Sequence, residues 1–187
     1  MAQPPASHSF TTTSGGGLRS VLKNRCSISQ AFNPAAGGGT PPPIVEFDAI
    51  WDTGATNSVI TQEVVDDCGL APIGVVQVHG VHGVDNADVF LVNIYLPNRV
   101  AFGAVRVTKG RLTGAQILIG MDLINQGDFA VTNFQGLTKF SFRVPSMRHI
   151  DFVQEHNARM MQFQHGGKKK DRKKQGKNFG KNKKKIG

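Results

Sequence analysis

Asp52-Thr53-Gly54 is the part of this sequence whose residue types suit bond-breaking chemistry. It follows the apolar run Ala49-Ile50-Trp51 and precedes the small Ala55 and Thr56, so a carboxylate stands where a strand gives way to a tight turn. Amide hydrolysis by water needs one group to take a proton from the water and another to give one to the carbonyl or the leaving amine. Two carboxylates sharing one proton do both, because like charges a few ångströms apart cannot both ionise and the pair titrates jointly. Gly54 lets the backbone fold against the carboxylate without a Cβ in the way, and the Thr53 hydroxyl can lock the turn. The plain alternative is a turn aspartate that only accepts backbone N–H groups. The chain holds a single Asp-Thr-Gly, so a carboxylate pair built on this motif requires two copies.

Positioning such a group calls for strands, and strand signals dominate the middle of the chain. Residues 44–51 are rich in β-branched and aromatic side chains and deliver the chain into Asp52. Short β-compatible pieces precede them around Val21 and Ile28, separated from them by the turn-rich run 37–43. A second piece at 57–60 leads to Thr61, whose hydroxyl is expected to cap a brief helix ending near Cys68 and Gly69. Two strong strand signals, 73–79 and 88–96, flank the glycine-bearing segment 80–86 and predict a long hairpin, with Phe90, Val92, Ile94 and Leu96 on one face. Further strands are expected at 100–107 and 115–119, then a short helix at 121–126 and a last hairpin through 129–132 and 139–144. Beyond Pro145, Ser146 can serve as an N-cap for a helix carrying Met147, Ile150, Val153, Met160 and Met161.

The order and spacing of the Asp52-Thr53-Gly54-Ala55 loop, the glycine-bearing hairpin and Ile117-Leu118-Ile119-Gly120 resemble the retropepsin family of single-lobe aspartic proteases. The resemblance covers roughly residues 18–144. It implies an all-β fold, a closed barrel with a flap hairpin, one or two short helices and a C-terminal helix. It also implies a homodimer in which each protomer donates one aspartate to hydrolysis of a polypeptide substrate. Under it Asp52 is the catalytic residue, Thr53 braces the two copies of the loop, and Gly54 and Ala55 shape that loop. Gly80, Val81, His82 and Gly83 form the flap tip over substrate, and Leu118 lines a substrate pocket. Gly120 admits the following helix, whose Asp122 hydrogen-bonds Ser58 behind the loop. Trp51 departs from the family, being bulkier than the aliphatic residue common before the aspartate, and so does the Gly-Pro-rich insertion at 37–43.

Composition divides the chain. Of 22 Lys and Arg against 13 Asp and Glu, residues 166–187 carry eleven basic groups and the single Asp171, leaving eleven basic and twelve acidic before them. The body is close to neutral, and attraction to nucleic acid or a ribosome belongs to that tail. Residues 1–17 are read as a flexible leader, 18–145 as the protease-like domain, 146–165 as the helix and 166–187 as a disordered tail. Cys26 and Cys68 lack the spacing of a disulfide framework or a zinc site, so no metal and no cofactor are expected. With neither a signal peptide nor a membrane span in view, a cytoplasmic location follows. Two other functions suit the same sequence: a catalytically silent peptide-binding module of this fold, and a nucleic-acid or ribosome binder acting through the tail.

Overall fold

The computed structural model describes residues 7–33, 35, 39–80 and 83–163. The Lys-rich tail, Val81, His82, Gly37 and Gly38 lie outside the described residues. The chain divides into two compact units, Met1–Met147 and Arg148–Gly187.

The first unit is built almost wholly of strands. They are β1 (His8–Thr13), β2 (Leu22–Gln30), β3 (Val45–Trp51), β4 (Val59–Ile60), β5 (Gly74–Gly80), β6 (Gly83–Tyr95), β7 (Ala101–Lys109), β8 (Ile117–Ile119), β9 (Asp128–Thr132) and β10 (Lys139–Val144). Two short helices interrupt them, α1 (Gln62–Asp67) and α2 (Met121–Ile124). The larger sheet runs β2-β3-β8-β4-β7-β6-β5, and β6 also pairs with β2. Six strands therefore return on themselves as a closed ring, with β5 hung on β6 as the outer arm of the hairpin. Closure removes free edges from the ring and encloses a core that includes Ile28, Ile60, Phe90, Val92, Ile94, Val107, Ile117 and Ile119. A separate sheet, β1-β10-β9, is joined entirely by antiparallel pairs.

Several expectations need correction. Residues 8–13 are no part of a flexible leader: they form β1, in register with β10 from His8↔Val144 to Thr13↔Lys139, with Phe10 buried. Thr residues suit a strand, and Phe10 supplies the apolar anchor that a Ser/Thr-rich composition hides. The helix after residue 61 forms, but Thr61 makes no side-chain cap; its hydroxyl is buried without a partner. The hairpin tip is far tighter than residues 80–86, since cross-strand pairing continues through Val78↔Asp85 to Gly80↔Gly83.

In the second unit, residues 152–163 form α3, a helix later in starting than expected. Asp151 caps it, its Oδ1 accepting the N–H groups of Val153 at 2.9 Å and Gln154 at 3.0 Å. Ser146 instead donates to Asp128. The apolar side chains of Phe152, Val153, Met160 and Phe163 are exposed. No helix among the described residues is long and apolar enough to cross a membrane.

Candidate active site

The strand order around β8 places Asp52. β8 runs parallel to β3, with Trp51 beside Ile119, and antiparallel to β4, with Val59 beside Leu118. The chain leaves β3 at Trp51 and re-enters as β4 on the far side of β8. Residues 52–58 must therefore arch over the end of β8, where Gly120 lies beneath them. A Cβ on Gly120 would stand 2.6 Å from the Asn57 carbonyl carbon, 2.7 Å from its oxygen and 3.0 Å from the Ala55 oxygen. No side chain fits there, which is the physical reason a glycine ends the Ile117-Leu118-Ile119 run.

Close approach allows the arch to be pinned from behind. The N–H of Asp52 donates to Ile119 O at 3.0 Å, that of Met121 to Ala55 O at 2.8 Å and that of Asp122 to Thr56 O at 3.1 Å. The Asp122 carboxylate accepts both the Ser58 N–H, at 3.0 Å, and the Ser58 hydroxyl, at 2.8 Å. The same hydroxyl accepts the Gly120 N–H at 3.1 Å. Ser58 is fully buried, where an unmade bond would carry a desolvation penalty of about 1–3 kcal/mol. Every polar atom of its side chain and its N–H is nonetheless engaged. Asp122 thus has both oxygens committed to holding the loop.

The front of the arch faces the other way. Asp52 is half-buried, while Thr53 and Gly54 are exposed. One carboxylate oxygen of Asp52 accepts the Gly54 N–H at 2.8 Å, and a Cβ on Gly54 would sit 3.1 Å from that oxygen. The turn closes with the Ala55 N–H on Asp52 O at 3.3 Å. Beside it opens a cleft of about 470 Å³ between the loop (Gly54, Ala55, Asn57), Val59 and Thr108 on one side and Val76 and Val78 of the hairpin on the other. Its walls carry no ionisable side chain.

Of the residues singled out from the sequence, Asp52, Thr53, Gly54 and Ala55 lie together in this loop, with Ser58 and Asp122 directly behind it. Gly80 and Gly83 pair with each other at the end of the hairpin; Val81 and His82 fall outside the described residues. Leu118 is only 9 % exposed, packed between Ile50 and Val59, and is not a wall of the cleft. Val76, Val78 and Thr108 were not singled out. The alternation along β5 was the one available sign, since residues two apart share a face.

No protein-family model matches the chain, and no curated protein does. Solved structures do. A retropepsin-like aspartic protease from Rickettsia conorii is 12 % identical, covering 76 % of this chain and 99 % of its own at a TM-score of 0.44. The EIAV protease, complexed with the inhibitor HBY-793, is 17 % identical over 58 % and 88 % at 0.41. The retroviral protease-like domain of Ddi1 from Leishmania major is 17 % identical over 72 % and 99 % at 0.38. The chain is similar to retropepsin-like aspartic proteases. At these identities the likeness is one of fold.

Proposed function

We propose that the chain is an aspartic endopeptidase that works as a homodimer, with Asp52 of each protomer forming a carboxylate pair that activates water. The observation that carries this is the two-sided loop: the loop that bears the half-buried Asp52 borders a cleft beneath the hairpin through Gly54, Ala55 and Asn57, while Gly120, Ser58 and Asp122 immobilise it from the rear. Preorganisation of that kind is what general acid–base chemistry needs and what a turn aspartate does not. Asp122, the other acid that the sequence offers for the site, has its two oxygens occupied by Ser58. The second carboxylate is therefore supplied by another copy.

The substrate is an extended polypeptide lying between the loop and the hairpin, whose closure would exclude water. Thr53, exposed beside Asp52, is the residue that braces one loop against the other. Water attacks directly, so no covalent enzyme intermediate forms. The two cysteines are free thiols, as suits a reducing compartment such as the cytoplasm.

The test is cleavage of a peptide library across acidic to neutral pH by wild type and by Asp52→Asn. Cleavage that disappears with Asp52→Asn supports the reading. Equal cleavage by both, or peptide binding with no product at any pH, overturns it, the latter in favour of a silent binding module.

A further inference from the structure

The residue that enters the catalytic loop is the chain's single tryptophan, and it is held by the other sheet. Trp51 ends β3, adjacent to Asp52, and is buried. Its indole stacks on Phe129 of β9, with centroids 5.2 Å apart and planes 6° from parallel. Phe10 of β1 lies at 5.9 Å, Phe140 of β10 at 5.7 Å and Phe142 of β10 at 5.1 Å, all tilted. Its Nε1–H donates to Asn24 Oδ1 of β2 at 2.6 Å. Four rings from all three strands of the β1-β10-β9 sheet fix the indole's position and plane, and the hydrogen bond fixes its rotation about that plane. Ring contacts of this kind add to the stabilisation from area burial, so displacement of the indole is resisted from several sides.

We propose that Trp51 is a positioning residue through which docking of the amino-terminal strand β1 sets the place of Asp52. The inference rests on the protease reading above. A single peptide plane separates the indole-bearing Cα from that of Asp52; on either side of it Trp51 pairs with Leu22 of β2 and Ile119 of β8, and the Asp52 N–H donates to Ile119 O, so a shift of residue 51 is passed directly to residue 52. Loss of Phe10 leaves the indole unsupported on one side and lets the ring, and with it residue 51, settle toward the gap. A shift on the order of 1 Å at a reacting group can cost about a hundredfold in rate. An undocked β1 therefore lowers turnover without removing any group that touches substrate.

Because Trp51 is the lone tryptophan, its fluorescence reports the link independently of activity. The experiment compares full-length wild type, Phe10→Ala, Phe10→Leu and Asn24→Ala for emission maximum, cooperative melting, dimer mass, and kcat and KM on one peptide. In folded, dimeric Phe10→Ala the emission moves to the red and kcat falls about tenfold or more while KM stays within about threefold. Phe10→Leu, which refills most of the volume, restores most of both. Wild-type emission in folded Phe10→Ala, or a red shift with unchanged kcat, overturns the proposal. Should Phe10→Ala fail to fold, Asn24→Ala decides by the same readouts whether the indole positions Asp52, since it removes the indole's hydrogen bond and otherwise only a bond from the Asn24 amide to the neighbouring Arg25 O. Absence of Asp52-dependent cleavage in wild type overturns the protease reading and the positioning role with it, and the emission of Phe10→Ala then separates that result from a failure of the link itself.

Discussion

Gly120 and Asp122 show how little freedom the residues behind Asp52 have. A methyl group at 120 has nowhere to go, because the atoms it meets are backbone atoms of Asn57 and Ala55 rather than the ends of flexible side chains. Gly120→Ala is expected to destabilise the fold by about 1–3 kcal/mol through overpacking, read as a lowered urea midpoint at unchanged m-value. In the molecules that remain folded it pushes the arch forward and lowers kcat. Asp122→Asn is subtler, since the side chain keeps its shape but exchanges one acceptor oxygen for an NH₂ donor. Either the Ser58 N–H or its hydroxyl then faces a donor in a site closed to water, at a cost of about 1–3 kcal/mol. Ser58→Ala takes the acceptor from the Gly120 N–H in either background, but in Asp122→Asn it also removes a hydroxyl whose proton has lost its acceptor, so it should cost less there than in wild type; a double-mutant cycle on urea unfolding measures that coupling.

Elements are where the sequence and the folded chain part company, and the reason is the distance over which strands pair. β3 is legible from its own residues: Phe47, Ala49 and Trp51 alternate inward and the apolar run ends at a glycine turn. The hairpin and Gly120 are legible for the same local reasons. β1 is not, because its single large apolar residue, Phe10, sits among serines and threonines, and its partner strand is 130 residues away, where Thr11 Oγ1 and Ser141 Oγ meet at 2.7 Å. The end of the first unit is another case. Asp128, at the start of β9, accepts the Ser146 hydroxyl at 2.6 Å, the Arg143 guanidinium and the Met147 N–H at 3.0 Å. Ser146 looked like a helix cap, yet a carboxylate eighteen residues earlier claims its hydroxyl. These bonds, Ser146 foremost and then Arg143, hold the Asp128 carboxyl below the usual carboxylate range. A depressed folded-state pKa contributes stability that is present above the unfolded value of about 4 and is lost as pH falls through the folded one. Asp128→Asn should therefore lower Tm by about 3–8 °C at pH 7, and the gap from wild type should narrow steadily below pH 4. A constant gap from pH 7 to pH 2 in calorimetry would contradict this origin.

At the scale of the molecule, the closed ring and the single Asp-Thr-Gly have different consequences. Closure protects what lies inside. Cys26, on the strand β2 that completes the ring, is 1 % exposed, and burial first, then the Glu46 charge, pushes its thiol up to about 12. Cys68 is likewise raised to about 11, by burial and then Asp67. Since the thiolate is the reactive form, native protein at pH 8 should leave both thiols unmodified by a disulfide reagent, and denaturant should release both. Under the proposed paired mechanism the lone motif has the opposite effect, because it leaves each protomer with half a site. On the proposed mechanism, with Asp122 engaged by Ser58, the second carboxylate comes from the Asp52 loop of a second copy. Specific activity should then rise with protein concentration until dimerisation saturates. Mixing supplies the sharper measurement: unfolded together and refolded with a ninefold excess of Asp52→Asn, wild-type subunits pair at random and only about one in ten finds a wild-type partner. Activity per wild-type subunit should fall by about tenfold. The asparagine partner folds and pairs but cannot share a proton, so the loss measures the need for two carboxylates rather than for two subunits. Activity per wild-type subunit that stays constant under that excess would mean a single Asp52 suffices, and the paired mechanism would have to be abandoned.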